Sequence, residues 1–172
     1  DNTLENSALE GNALKDSSDS QATLITKDGG QFEVTSADQQ ETGIVNWSMS
    51  GIHNVNNALV AIAAAYDVGV SVSTACAALS AFAGIKRRME LIGDAQDILV
   101  FDDFAHHPTA IATTLDGAKK KLANRRIWAI IEPRSNTMKM GIHQDSLAES
   151  AALADHTLWY EPTGLEWGLK AV

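Results

Sequence analysis

The residues best equipped for chemistry lie in two clusters, each directly behind an apolar run. Asp97-Ile98-Leu99-Val100-Phe101 is followed by Asp102, Asp103, His106 and His107; Ile127-Trp128-Ala129-Ile130-Ile131 is followed by Glu132, Arg134, Ser135, Asn136 and Thr137. A guanidinium clasps a carboxylate or phosphate through paired N–H donors, and an imidazole exchanges its proton near neutral pH. Two such loops facing one crevice could hold an anionic substrate and place an acid–base group beside it. The bland alternative for the first cluster is a helix cap with solvated histidines. A metal reading also exists, because Asp and His are divalent-ion ligands, but adjacent residues rarely point at one ion and no metal ligand is assigned.

Two further groups could contact a nucleotide. Asn54 and Asn57, in Gly51-Ile52-His53-Asn54-Val55-Asn56-Asn57, are three apart and share a helical face, where carboxamides can read the donor and acceptor edge of a base. Asparagines near a helix start are more often caps. Lys86-Arg87-Arg88, followed by Met89-Glu90, is a dense basic run that could be a solvated face or a local phosphate or ribose contact. No G-x-x-x-x-G-K-[ST] loop occurs in the sequence, so a triphosphate would need its cradle from outside this chain.

The elements that must position these groups can be read from periodicity. Residues 1–23 are rich in Asp, Asn, Ser and Gly and read as a ragged lead-in, starting at what looks like a cut end. Thr23–Thr26 and Gln31–Val34 flank Asp28-Gly29-Gly30 and predict a β-hairpin, with another strand between Gly43 and Met49. Val55, Ala58, Leu59, Ile62 and Tyr66 recur at helical spacing and predict a helix over 54–67, stopped by Gly69. A second helix, capped by Ser71 or Ser73, would bury Cys76, Leu79 and Phe82 and end at Gly84.

Beyond that point the pattern becomes strand, helix, strand. Asp97–Phe101, a helix opened by Pro108 with Ile111, Leu115, Ala118 and Leu122 on its buried face, and Ile127–Ile131 predict a parallel βαβ unit with both sheet faces covered. A helix near Ser146–Leu153 and a strand at Thr157–Tyr160 suggest a third cycle. The expected fold class is α/β, an end of one domain followed by a Rossmann-like doubly wound domain that looks truncated, with the boundary placed at 1–84 and 85–172.

Composition narrows the partners. The 172 residues carry 13 basic and 22 acidic side chains, a net charge of −9, which argues against a general nucleic-acid binder. No apolar run approaches a bilayer span of about 20 residues, so no membrane partner is expected. The lone cysteine, Cys76, cannot form an internal disulfide and suits a reducing cytoplasm, reading as a small buried hydrophobe rather than a nucleophile. Nothing in the sequence fixes an oligomeric state.

Taken in order, Gly51-x-His53-Asn54-x-x-Asn57-Ala58, Gly84-Ile85-Lys86-Arg87-Arg88-Met89-Glu90 and Asp102-Asp103-Phe104-Ala105-His106-His107-Pro108 resemble the signature of the Mur ligases. Glu132–Lys139, and Phe104 where tyrosine is expected, are most similar to the branch that attaches a whole tripeptide rather than the alanine-adding branch. The resemblance spans about Phe32 to Tyr160. It implies the end of a central ATP-binding domain followed by an incomplete C-terminal ligase domain. It also implies ATP and Mg2+ as cofactors, the main magnesium ligands lying outside this chain. The implied reaction is formation of an acyl phosphate on UDP-N-acetylmuramate, then attack by the amine of L-alanyl-γ-D-glutamyl-meso-diaminopimelate, in peptidoglycan recycling.

By matching position the resemblance implies that Asn54 and Asn57 contact adenine and that Arg88 and Asp103 hold the ribose and phosphate region. It places His106 and Arg134 beside the incoming tripeptide, while His107 and Asp102 brace the loop. Half an active site cannot turn over, so the isolated chain is expected to be inactive. The alternatives are an alanine-adding or folylpolyglutamate-type ligase and, outside enzymes, a nucleotide-binding or interaction module.

Overall fold

The computed structural model describes residues 13–15, 20–165 and 167–169. The chain divides into two compact units, Asp1–Ala83 and Gly84–Val172.

The first unit packs a four-stranded antiparallel sheet on two helices. The strands β1 (Ala13–Lys15), β2 (Gln21–Leu24), β3 (Gln31–Thr35) and β4 (Thr42–Asn46) pair in chain order. Alternation decides the register: Ala22, Phe32, Val34 and Val45 point inward and are fully buried, and the pairs Ala22↔Val34 and Phe32↔Val45 bring them together. The hairpin expected around Asp28-Gly29-Gly30 is present, as β2 and β3. The ragged lead-in is corrected in part: β1 lies inside 1–23 and β2 begins there, held by ladder bonds to a neighbour that propensity cannot foresee, while residues 1–12 and 16–19 of that stretch lie outside the described residues.

Helix α1 (Ile52–Asp67) buries Val55, Ala58, Leu59 and Ile62 on the sheet, the face its periodicity predicts. Helix α2 (Val72–Ser80) starts at Ser71, whose side chain accepts from the Thr74 N–H, and buries Cys76. It is shorter than expected. The Ser80 hydroxyl donates to the Cys76 carbonyl and its oxygen accepts from the Asn46 N–H of β4, so the helix ends against the strand; Phe82, expected in the core, stands 42% exposed beyond it. Burial pushes the Cys76 thiol up to about 11, which fits an inert hydrophobe rather than a nucleophile.

The second unit is α/β, with one departure in its pairing. Strand β5 (Glu90–Ala95), absent from the sequence reading, pairs antiparallel with β6 (Ile98–Asp102) through a two-residue turn in which Gln96 and Asp97 both have positive φ. That is the backbone of a tight hairpin, built here without the Asn-Gly or Asp-Gly that normally announces it. Helix α3 (Pro108–Lys121) buries Ile111, Leu115 and Ala118 as expected, while Leu122, its C-cap, is half-buried. Lys119, Lys120 and Lys121 fill its last turn, where cations favour the helix dipole.

Strand β7 (Trp128–Ile131) then pairs in parallel with β8 (His156–Trp159), not with β6. The parallel crossover therefore runs from β7 through α4 (Asn136–Lys139) and α5 (Gln144–Ser150) to β8, one cycle later than predicted. Nor are both sheet faces covered. Ile111, Leu115, Met138, Leu147 and Ala151 form a core on one side, whereas Ile130 is 75% and Trp128 57% exposed. An apolar run shows that a strand can be buried; it does not supply the cover.

Candidate functional site

In the first unit the start of α1 is set by a close approach of two glycines. Gly51, the N-cap, has φ 96°, and a Cβ there would meet the His53 ring at 2.6 Å. A Cβ on Gly29 would meet Val55 Cγ2 at 2.8 Å, and the Gly51 N–H donates to the Asp28 carbonyl at 2.7 Å. The hairpin turn is thereby locked to the helix start, for which only glycine leaves room. Since Gly51 is the cap, neither Asn54 nor Asn57 is spent in that role. Asn54 is half-buried, and its amide nitrogen donates to the Ser50 carbonyl at 2.7 Å, which fixes the amide and leaves its oxygen as the acceptor; Asn57 is exposed one turn on.

In the second unit the strand ends β6 and β7 open on a cleft of about 560 Å³, lined among others by Asp102, Asp103, Phe104, His106, Glu132 and Arg134. Asp103 ties it together. Its Oδ2 accepts from the Met89 N–H at 2.9 Å, and its Oδ1 from the Ala105 N–H at 2.8 Å and the Thr114 hydroxyl at 3.4 Å. One carboxylate thus joins the basic segment, the loop and α3. A carboxylate offers roughly four acceptor positions, so Asp103 can still receive a ligand hydroxyl. Sequence reasoning gave it the ligand role and missed this structural one. The signal lies in Arg87 and Met89, both at positive φ, a conformation no residue type here announces.

The adjacent histidines differ. His106 Nδ1 lies 2.9 Å from the Phe104 carbonyl, which can only accept, so Nδ1 carries the proton and Nε2 presents its lone pair. His107 is the N-cap of α3: its Nδ1 accepts from the Thr109 N–H at 3.3 Å, which leaves the proton of the neutral ring on Nε2. His107 also packs edge-to-face on His143, ring centroids 4.4 Å apart. Bracing, the role expected for His107 and Asp102, is visible for both, since Asp102 Oδ2 pairs with Arg87 Nε at 3.3 Å.

Arg134 is exposed and makes no hydrogen bond or ion pair among the described residues. Its neighbour Ser135 caps α4 and donates to the His106 carbonyl at 3.4 Å, linking the two loops. Ser135 had no assigned role in the sequence reading, although its place before a short helix marks it as a cap. The second unit therefore brings Arg88, Asp103, His106 and Arg134 to one end of its strands. An unpaired guanidinium at Arg134 and a proton-accepting Nε2 at His106 suit an anionic substrate with a reacting amine. Among the described residues no group of three or more His, Cys, Asp or Glu could hold a metal ion, and no helix is long and apolar enough to cross a membrane.

Comparisons with known proteins point one way. Residues 87–167 match the family model described as Mur ligase, glutamate ligase domain. The UDP-N-acetylmuramate–L-alanyl-gamma-D-glutamyl-meso-2,6-diaminoheptandioate ligase of Escherichia coli is 46% identical over 153 residues, covering 88% of this chain and 33% of that protein. Its namesake in Haemophilus influenzae is 45% identical over 147 residues, 85% of this chain and 32% of that one. The crystal structure of a murein peptide ligase from Psychrobacter arcticus shares 84% identity with a TM-score of 0.62, covering 90% of this chain and 32% of that chain. The chain spans about a third of the length of the curated relatives it matches. With an α/β second unit whose strand ends carry the matched motifs, the chain belongs to the Mur ligase family.

Proposed function

We propose that this chain is part of an ATP-dependent amide ligase that joins UDP-N-acetylmuramate to L-alanyl-γ-D-glutamyl-meso-diaminopimelate during cytoplasmic recycling of peptidoglycan. The observation that carries this reading is the identity with two curated ligases named for these substrates, together with 84% identity to a murein peptide ligase. The first unit would be the C-terminal part of an ATP-binding domain and the second an incomplete ligase domain.

In this reading Asn54 and Asn57 contact adenine, and Arg88 with Asp103 holds the ribose and adjacent phosphates. Taken unit by unit, the side chains suit these roles: carboxamides in the first for a base edge, and in the second a guanidinium without an ion pair for phosphate and a carboxylate with spare acceptor positions for ribose hydroxyls. The described residues do not form a magnesium site, and the main magnesium ligands are expected outside this chain. The substrate carboxylate attacks the γ-phosphorus and releases ADP, giving an acyl phosphate. The tripeptide amine then attacks the acyl carbon, inorganic phosphate leaves, and the amine proton passes to His106 Nε2 while Arg134 grips a tripeptide carboxylate.

The test is to graft residues 20–165 in place of the matching segment of the Psychrobacter arcticus enzyme and follow phosphate release. Release with the tripeptide but not with L-alanine or L-glutamate is expected, with a drop of about 10²–10⁴-fold on His106→Gln, the range of a positioned acid–base group. Release driven by L-alanine alone would assign the alanine-adding branch, to which relatives such as the Alkaliphilus metalliredigens enzyme, 37% identical over 116 residues, belong. Undiminished turnover in both His106→Gln and Arg134→Ala would leave these loops a recognition role only. The 172-residue chain alone is expected to release no phosphate.

A further inference from the structure

We infer that Phe104 is a positioning residue whose ring holds the Arg88 guanidinium and the His106 imidazole in fixed relation, so that one aromatic ring aligns the phosphate-side and amine-side groups of the site. The inference rests on the nucleotide and amine roles proposed above for Arg88 and His106. Phe104 is 47% exposed in the loop after β6, a position where a large apolar ring gains little from burial. Three neighbours use the ring instead. The guanidinium carbons of Arg87 and Arg88 lie 5.0 and 5.9 Å from its centroid, and the His106 ring lies 4.9 Å away at 59°.

The rest of the loop makes this arrangement specific. The Phe104 N–H donates to the Arg87 carbonyl at 2.8 Å, and Asp103 accepts from the Met89 N–H at 2.9 Å, so the backbone on both sides of Arg88 is tied to the loop that carries the ring. His106 Nδ1–H is spent on the Phe104 carbonyl, so the same residue fixes that imidazole through its backbone and its ring. Arg87 has a second anchor in Asp102 at 3.3 Å; Arg88 has no ion pair among the described residues, and the aromatic face is the contact that holds its guanidinium. A cation held by a ring rather than a carboxylate keeps its full charge and its N–H donors for an anion, which an ion pair would neutralise.

The test is side-chain NMR with selectively labelled Arg and His on the Psychrobacter arcticus enzyme carrying grafted residues 20–165, unsubstituted and with Phe104→Leu and Phe104→Tyr, titrated with ATP. In the unsubstituted graft the Arg88 side-chain protons and the His106 ring protons carry the upfield shift of a nearby aromatic face. Phe104→Leu is expected to abolish it at both residues, and to raise the ATP concentration that half-shifts the Arg88 Nε–H by about two- to fivefold, the worth of one cation–π contact. Phe104→Tyr should restore both readouts, and amide spectra of α3 should be unchanged throughout, since Asp103 holds the loop in every variant. Arg88 and His106 signals indifferent to Phe104→Leu would overturn the inference. A ring-shifted Arg88 whose Nε–H ignores ATP in the unsubstituted graft, where the phosphate cradle is present, would instead sink the nucleotide reading on which the inference rests.

Discussion

The two units spend their apolar residues differently. In the first, Phe32, Val34, Val45, Val55, Leu59 and Ile62 are at most 2% exposed, Trp47 packs edge-on to Phe32 at 5.4 Å, and its indole N–H reaches the Gly29 carbonyl. In the second, Ile98, Ile130 and Tyr160 stand 62%, 75% and 63% exposed, while the buried residues line one side only. The first unit is a closed core that holds a helix start in place. The second concentrates its polar chemistry at its strand ends and leaves a sheet face bare. In the second unit hydrogen bonds at the loops add to a core buried on one side.

The largest expected effect tests the closed core. Phe32→Ala should destabilise the first unit by about 3–5 kcal/mol, the usual cost of emptying a buried aromatic site. Amide hydrogen exchange in β2–β4 would read it, and a loss under about 1 kcal/mol would mean that the core is looser than the burial implies. Next is the loop network. Asp103→Leu leaves the Met89 and Ala105 N–H groups without an acceptor and should cost the second unit about 1–3 kcal/mol. Asp102→Leu breaks a half-exposed ion pair and should cost at most about 1 kcal/mol, so equal losses would deny Asp103 its tying role.

Smaller still is Ile130→Thr, on the bare face, which should fall within about 0.5 kcal/mol of the unsubstituted chain in a denaturant titration. A loss well above that would show the face to be covered in solution. The smallest effect is in acid. Asp38 is held below the usual carboxylate range by bonds from Ser36 and then the Gln40 N–H, and Asp155 by the Ile127 N–H and then Lys119. A carboxyl depressed in the folded state stabilises above its unfolded pKa of about 3.9, and that contribution fades as pH falls through the lower folded value. Asp38→Asn should flatten the acid limb of the first unit alone and Asp155→Asn that of the second; a flattening of both limbs by either substitution would contradict two separately stabilised units.

How legible this was depended on the range of the force involved. The face of α1 and the hairpin at Asp28-Gly29-Gly30 follow from local periodicity and turn chemistry, and both were readable. So were the clusters behind β6 and β7, since position after an apolar strand marks a ligand site in α/β sheets. Strand β5 was not, because its turn places Gln96 and Asp97 at positive φ without glycine. The pairing of β7 with β8 rather than β6 was not either: composition says a strand is apolar, not which edge it joins. The opposite tautomers of His106 and His107 depend on whether the ring nitrogen meets the carbonyl two residues back or the N–H two residues ahead, which identical side chains cannot signal.

Strand β7 reads Trp-Ala-Ile-Ile, with neither charge nor proline, and its edge away from β8 pairs with no described strand; β6 likewise offers one unpaired edge, and both border the same cleft. Uncharged strands with free edges recruit other strands. In a concentrated solution of this chain, turbidity should rise with protein concentration and β-sheet signal together, and a lysine at Ile130 should suppress both. The cleft proposed to take ligands at the loops is thus bordered by two strand edges that a second copy could extend.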